Sequence, residues 1–140
     1  MAKQVAFRNQ MVKYVTGGGV PSWAGNSNLW VSLHHTAPVW SDKQTQYEIS
    51  YPGYARQPIV RSAAGWTYNT ATGTASNAAE IEFPNPSGGS AEEVWWVGIG
   101  TDETGDGQLL YHTNVFEEVF LIAVNQPLII PVGGLLVRET

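Results

Sequence analysis

The chain has no cysteine, which excludes a disulfide framework and any cysteine-ligated zinc or iron–sulfur site. It is poor in charge: Asp, Glu, Lys and Arg make up 14% of it, against roughly 25% in an average domain. No apolar run is long. The longest, Val119 to Val124, ends at Asn125-Gln126-Pro127, far too short to span a bilayer. Met1 is followed by a polar, charged start, so no secretory signal is expected, and the protein is expected to be soluble and made in the cytoplasm. The recognised catalytic loops are missing as well. Thr16-Gly17-Gly18-Gly19 lacks the Gly-Lys-Ser/Thr of a phosphate loop, Gly98-Ile99-Gly100 lacks a third glycine, and no Gly-x-Ser-x-Gly elbow occurs. The net charge of −5 speaks against a nucleic-acid partner, which would require a basic footprint.

What is abundant is Gly, Pro, Ser, Thr and Asn, together with six Trp and six Tyr, the composition of short strands joined by many turns. A chain of 140 residues is one domain's worth and can bury a core unaided. Charge is unevenly placed. Lys3, Arg8 and Lys13 are the only charges before Asp42, whereas Glu80 to Glu118 holds nine acids and no Lys or Arg. Either the acids form a solvated face, or a basic N-terminal arm docks on an acidic neighbour, a copy of the chain included.

Residues 4–15 are the one convincing helical stretch: Phe7, Met11, Tyr14 and Val15 line one face, and Gly17-Gly18-Gly19 stops the helix. After a loop over 17–28 the period changes to two. Leu29, Val31 and Leu33 fall on one face of a strand, with Trp30, Ser32 and His34 on the other. Further strands are expected at Tyr47 to Ser50, at Tyr54 to Arg61 (an edge strand or a bulge, given Pro58), and at Trp66 to Tyr68. In Ala78 to Phe83, Ala79, Ile81 and Phe83 should point inward and Glu80 and Glu82 to water. Glu93 to Ile99 reads as a central strand, apolar on both faces. Leu109 to His112, Val119 to Val124, Leu128 to Ile130 and Leu135 to Arg138 bring the total to about nine or ten. The expectation is an all-β protein, a β-sandwich or jelly roll over residues 18–140, with a helical arm over residues 1–17.

Candidate chemistry is sparse. His34 and His35 leave opposite faces of a strand and cannot chelate one metal together, and adding His112 to either gives two nitrogens without a third ligand. Asp102-Glu103-Thr104-Gly105-Asp106-Gly107 imitates the start of a calcium loop, but Thr113 stands where the twelfth-position Glu belongs, so a β-turn is the better reading. Glu80 with Glu82, or Glu92 with Glu93, are adjacent carboxylates with no sign of facing each other across a cleft. No cofactor, metal or enzyme activity is expected. Trp23, Trp30, Trp40, Trp66, Trp95 and Trp96, with Tyr47, Tyr51 and Tyr54, could stack on sugars in a carbohydrate-binding module; core packing and subunit contacts explain the same residues.

Read in order, several segments resemble a widespread family of small tailed-phage virion proteins, of the tail-fibre and head-decoration kind. The resemblance begins at the helix ending in Val15-Thr16-Gly17-Gly18 and at Leu29 to Pro38, with its His-Thr-Ala turn. It continues through Tyr51 to Gln57, Gly73 to Ala79, Ile81 to Pro84 and Val97 to Thr101, and finishes with Gly107 to Tyr111 and Gly134 to Glu139. Glu118 to Pro131 is more apolar than the family's pattern, and the Trp content is unusual. The resemblance implies a virion subunit without catalytic residues. The expected role is a decoration or cement protein on the outside of the phage head. Its partners would be the major capsid protein and further copies of itself, as a trimer or else a dimer, with no nucleic acid or membrane involved; a tail or tail-fibre component is the alternative. The candidate attachment surface is the arm, through Lys3, Phe7, Arg8, Met11, Lys13 and Tyr14.

Overall fold

A computed structural model describes residues 1–114 and 118–138. In chain order the elements are β1 (Ala2–Lys3), α1 (Val5–Val15), β2 (Asn28–His34), β3 (Gln57–Val60), β4 (Trp66–Asn69) and β5 (Thr74–Asn77). Then come β6 (Ile81–Glu82), β7 (Glu92–Val94), β8 (Trp96–Gly100), β9 (Leu109–Thr113), β10 (Phe120–Ile122), β11 (Ile129–Ile130) and β12 (Leu136–Arg138).

The β-branched and aromatic stretches form the middle of the largest sheet, ordered β1-β9-β8-β2-β3 and antiparallel throughout. Val31 sits opposite Ile99 and Leu33 opposite Val97, so one face of this sheet is aliphatic. Facing it are three smaller sheets, β12-β5-β4, β10-β7 and β11-β6. They contribute Trp66, Ile81, Val94, Ile122 and Ile130 to a single core with Val31, Leu33, Ile59, Val97 and Ile99, and Phe83, Leu128 and Leu135 fill the space between. The fold is thus all-β with one short α-helix. The second layer is divided among three short sheets where a regular sandwich would have one.

The sequence expectations hold best where alternation was clean. Ile81 and Phe83 are buried while Glu80 and Glu82 face water, and β3, which contains Pro58, is an edge strand. Others need correction. Ala79 is exposed, because the chain turns before β6 begins. Tyr47 to Ser50 is no strand: Tyr47 has φ +55°, outside the extended region, and only a lone bridge joins Glu48 to His34. Glu93 to Ile99 is two strands broken at Trp95, whose N–H bonds the carbonyl of His34. β5 was not foreseen, since Thr74-Ala75-Ser76-Asn77 carries no apolar alternation. It is held by Asn77, a buried amide that donates to the carbonyls of Ala79 and Pro131 and accepts from the N–H of Leu135.

Candidate functional site

Helix α1 starts at Val5 because Gln4 is extended and tied down on both ends. Its N–H bonds the carbonyl of Leu110, and its side chain donates to the carbonyl of Pro38. The Asp42 carboxylate accepts from the N–H of Ala6, one of the first-turn donors that no intrahelical acceptor reaches. The helix then packs against β9. Phe7 is buried edge-on to Tyr111 at 5.0 Å and tilted against Trp23 at 5.7 Å. Gln10 and Gln108 exchange hydrogen bonds, and the Trp23 indole donates to Gln10. At the far end the Thr16 hydroxyl returns to the carbonyl of Val12, and Gly17 takes φ +83°, which permits the turn that ends the helix.

Of the six arm residues singled out in the sequence, Phe7 is buried, Met11 is half-buried, and Lys3 lies in β1 opposite Tyr111. Arg8, Lys13 and Tyr14 point to solvent. The apolar stripe is therefore covered over its first two turns and open at its end.

The Asp102–Gly107 turn is engaged by protein groups. Arg56, almost fully buried, pairs with Glu48 through Nε and Nη2 and also donates to the carbonyls of Asp102 and Gly105. Gln44 accepts from the N–H of Asp102 and donates its own N–H to the carbonyl of Asp106, whose carboxylate meets Thr45 and Lys43. The Tyr54 hydroxyl donates to Glu48, and burial beside that carboxylate pushes it well above the ordinary tyrosine range, so it keeps its proton. Sequence reading missed this network. Its one visible signal was Arg56, the only charge between Glu48 and Arg61.

Behind β2 and β8, on the face away from the aliphatic core, lies a buried polar layer. His34 Nε2 is 2.8 Å from Ser32 Oγ, and Nδ1 is 2.7 Å from the carbonyl of Gln46. Distance alone would suit a nucleophile and its base, but Ser32 and His34 are both 0% exposed, out of reach of any substrate. Burial holds the His34 imidazole down at about 4, hence neutral. His112, buried nearby against the edge of Trp96, is lowered by burial and by the N-terminal ammonium. Its Nδ1 and the side-chain nitrogen of Gln44 have no protein partner among the described residues. His35 points outward, against Tyr47. Among the described residues no group of three His, Cys, Asp or Glu could hold a metal, and no helix is long and apolar enough to cross a membrane.

The aromatics divide. Trp66 and Tyr51 belong to the core, and Trp23, Trp30, Trp96 and Tyr54 are half-buried. Trp40, 80% exposed, and the less exposed Trp95 and Tyr47 face solvent. An open cleft of about 490 Å³ separates the large sheet from β4-β5-β12, lined by Leu29, Ile99 and Tyr111 on one wall and by Trp66, Tyr68 and Val137 on the other. Arg61 stands at its rim with its guanidinium committed to the carbonyls of Trp23, Ala24 and Asn26. The accessible chemistry is thus aromatic, aliphatic and singly charged surface, suited to binding other molecules by contact.

A protein-family model described as podophage GP4 fiber I protein gp80 matches residues 4–138. A comparison with curated proteins gives no match.

Proposed function

Since this chain belongs to the podophage GP4 fiber I protein gp80 family, a family of phage structural proteins, we propose that it works as a subunit of a virion fibre on the tail side of the particle, through contacts and without catalysis. The observation that carries this reading is the family match over nearly the whole chain. The geometry is in keeping with it. Among the described residues the one serine–histidine pair at hydrogen-bond distance is sealed from solvent, while exposed aromatic and aliphatic side chains are frequent. The head-decoration role expected from the sequence has less support, because the family's description speaks of a fibre and not of a capsid.

The test is location and copy number in purified virions. Antibody-gold labelling should fall on the tail or its fibres, and quantitative mass spectrometry should give a copy number far below that of the major capsid protein. Labelling spread over the head, at a stoichiometry near that of the capsid subunits, would restore the decoration reading and overturn this one.

A further inference from the structure

Helix α1 has two apolar faces, and the chain covers one. Phe7 and Met11 turn towards β9, whereas Val5 and Val12 stand on the side away from it, at 54% and 64% exposure, and Val15, 81% exposed at the open end of the first stripe, stands between the two. With Arg8 they recur at i, i+3, i+7 and i+10, the spacing that keeps side chains on one side of a helix. β-Branched residues are poor helix formers, and at exposed positions they obtain nothing from packing in return. A helix apolar on two sides is one that packs against two neighbours. Arg8 lies within this row, Lys13 is exposed on the same helix, and no acid lies on it, so the second neighbour should be apolar with acidic groups beside it.

The chain offers such a surface on another sheet. Leu121 of β10 sits directly opposite Glu93 of β7, with both side chains exposed. The Trp95 indole, 39% exposed, donates to the Glu93 carboxylate at 3.1 Å and so lies beside it. Glu118, also exposed, precedes β10 by two residues. This patch has aliphatic, aromatic and anionic groups where the helix has aliphatic and cationic ones.

We propose that the outer face of α1 in one copy seats on the β7–β10 patch of a second copy, Val5, Val12 and Val15 against Leu121 and Trp95, and Arg8 and Lys13 beside Glu93. Because the two surfaces are different elements, the contact is head-to-tail. Each copy keeps one unused surface at either end, so copies close into a ring or continue as a filament, as the rotation between them dictates. The inference goes beyond the fibre reading and does not depend on it, since it concerns the purified chain and not its position in the particle.

The experiment is sedimentation velocity on the purified full chain at low and high salt. Wild type should self-associate, less so at high salt. R8E/K13E and, separately, E93K should each weaken association by at least about tenfold, since each sets like charges face to face. All three residues are exposed, so circular dichroism and melting should stay as in wild type. Mixing the two variants should restore association, because the intact helix of one meets the intact patch of the other. A wild type monomeric at every concentration, an E93K variant that assembles normally, or a mixture no better than its components would each overturn the proposal. Normal assembly of E93K together with loss in R8E/K13E would mean that the helix seats on something other than this patch.

Discussion

Arg56 holds Glu48 through two parallel hydrogen bonds, Nε to Oε2 at 2.7 Å and Nη2 to Oε1 at 2.8 Å, with both side chains nearly out of water. The same guanidinium fastens the acidic turn through the carbonyls of Asp102 and Gly105. One residue thus neutralises a buried carboxylate and anchors a loop some fifty positions away in sequence.

Arg56→Ala should therefore cost about 3–5 kcal/mol, since it leaves the Glu48 carboxylate buried without a countercharge. Lys43→Ala removes an ion pair to Asp106 in which both side chains are more than half exposed, and should leave the urea midpoint where it was. Urea titrations of the two variants check this. Equal effects would mean that Glu48 finds solvent once Arg56 is gone.

Stability should fall on acidification in a window set by His34. The unfolded chain takes up this proton at 6.5, whereas burial delays it to about 4 in the folded protein. Between those values the unfolded state binds more protons, so stability is complete above the upper value and declines as pH drops towards the lower, by at most about 3 kcal/mol from this residue. His112, lowered in the same direction, adds to the trend. The groups acting on His34 are the Gln46 carbonyl, Glu48, Arg56 and His112. A His34→Gln variant removes the site, so the wild-type advantage over it should shrink as pH falls from 6.5 to 4, read from urea midpoints. A constant difference would sink the assignment.

Gly98 should resist replacement. A methyl group there would lie 2.7 Å from the Leu109 side chain, 2.8 Å from His34 Nε2 and 2.9 Å from Ser32 Oγ, three groups fixed in a packed layer. Gly98→Ala should cost about 1–3 kcal/mol through overpacking. Gly88→Ala, whose added carbon meets nothing within 4 Å, should be close to neutral. Thermal melts of both variants give the answer, and a tolerated Gly98→Ala would mean that the polar layer is softer than its hydrogen bonds suggest.

The tryptophans should separate by role. Trp66→Ala should cost about 3–5 kcal/mol as a core deletion. Trp40→Ala should change stability by less than about 0.5 kcal/mol, because that ring stands in solvent. A costly Trp40→Ala would show that its ring packs more closely in solution.

The parts of this fold legible in the sequence are those where side-chain periodicity decides burial. Val31 and Leu33 in β2, Ile81 and Phe83 around β6, and Phe7 and Met11 on α1 all face where spacing put them. The parts that were not legible are held by polar groups distant in sequence. β5 depends on Asn77 binding Pro131 and Leu135, and the 42–48 segment departs from strand geometry to bring Gln44 and Glu48 to the acidic turn and Arg56. Trp95 looked like one more apolar residue of a strand, and nothing local marks it as the point where the chain leaves one sheet for another. At the candidate surface the sequence identified the helix and its basic residues. Spacing showed the stripe of Phe7, Met11, Tyr14 and Val15, whereas Val5 and Val12 read as ordinary helix until burial showed which side was occupied.

The division of the second layer has a mechanical consequence. A five-stranded sheet shares its load across four ladders, but each small sheet is stitched by one or two, and no ladder runs from one to the next among the described residues. The molecule therefore has one continuously paired sheet opposite three that are paired only within themselves. Fewer ladders hold the small sheets, so amide protons of β2, β8 and β9 should outlast those of β6, β7, β10 and β11 by the widest margin in exchange with deuterated water. The small sheets should accordingly open locally before the chain unfolds as a whole.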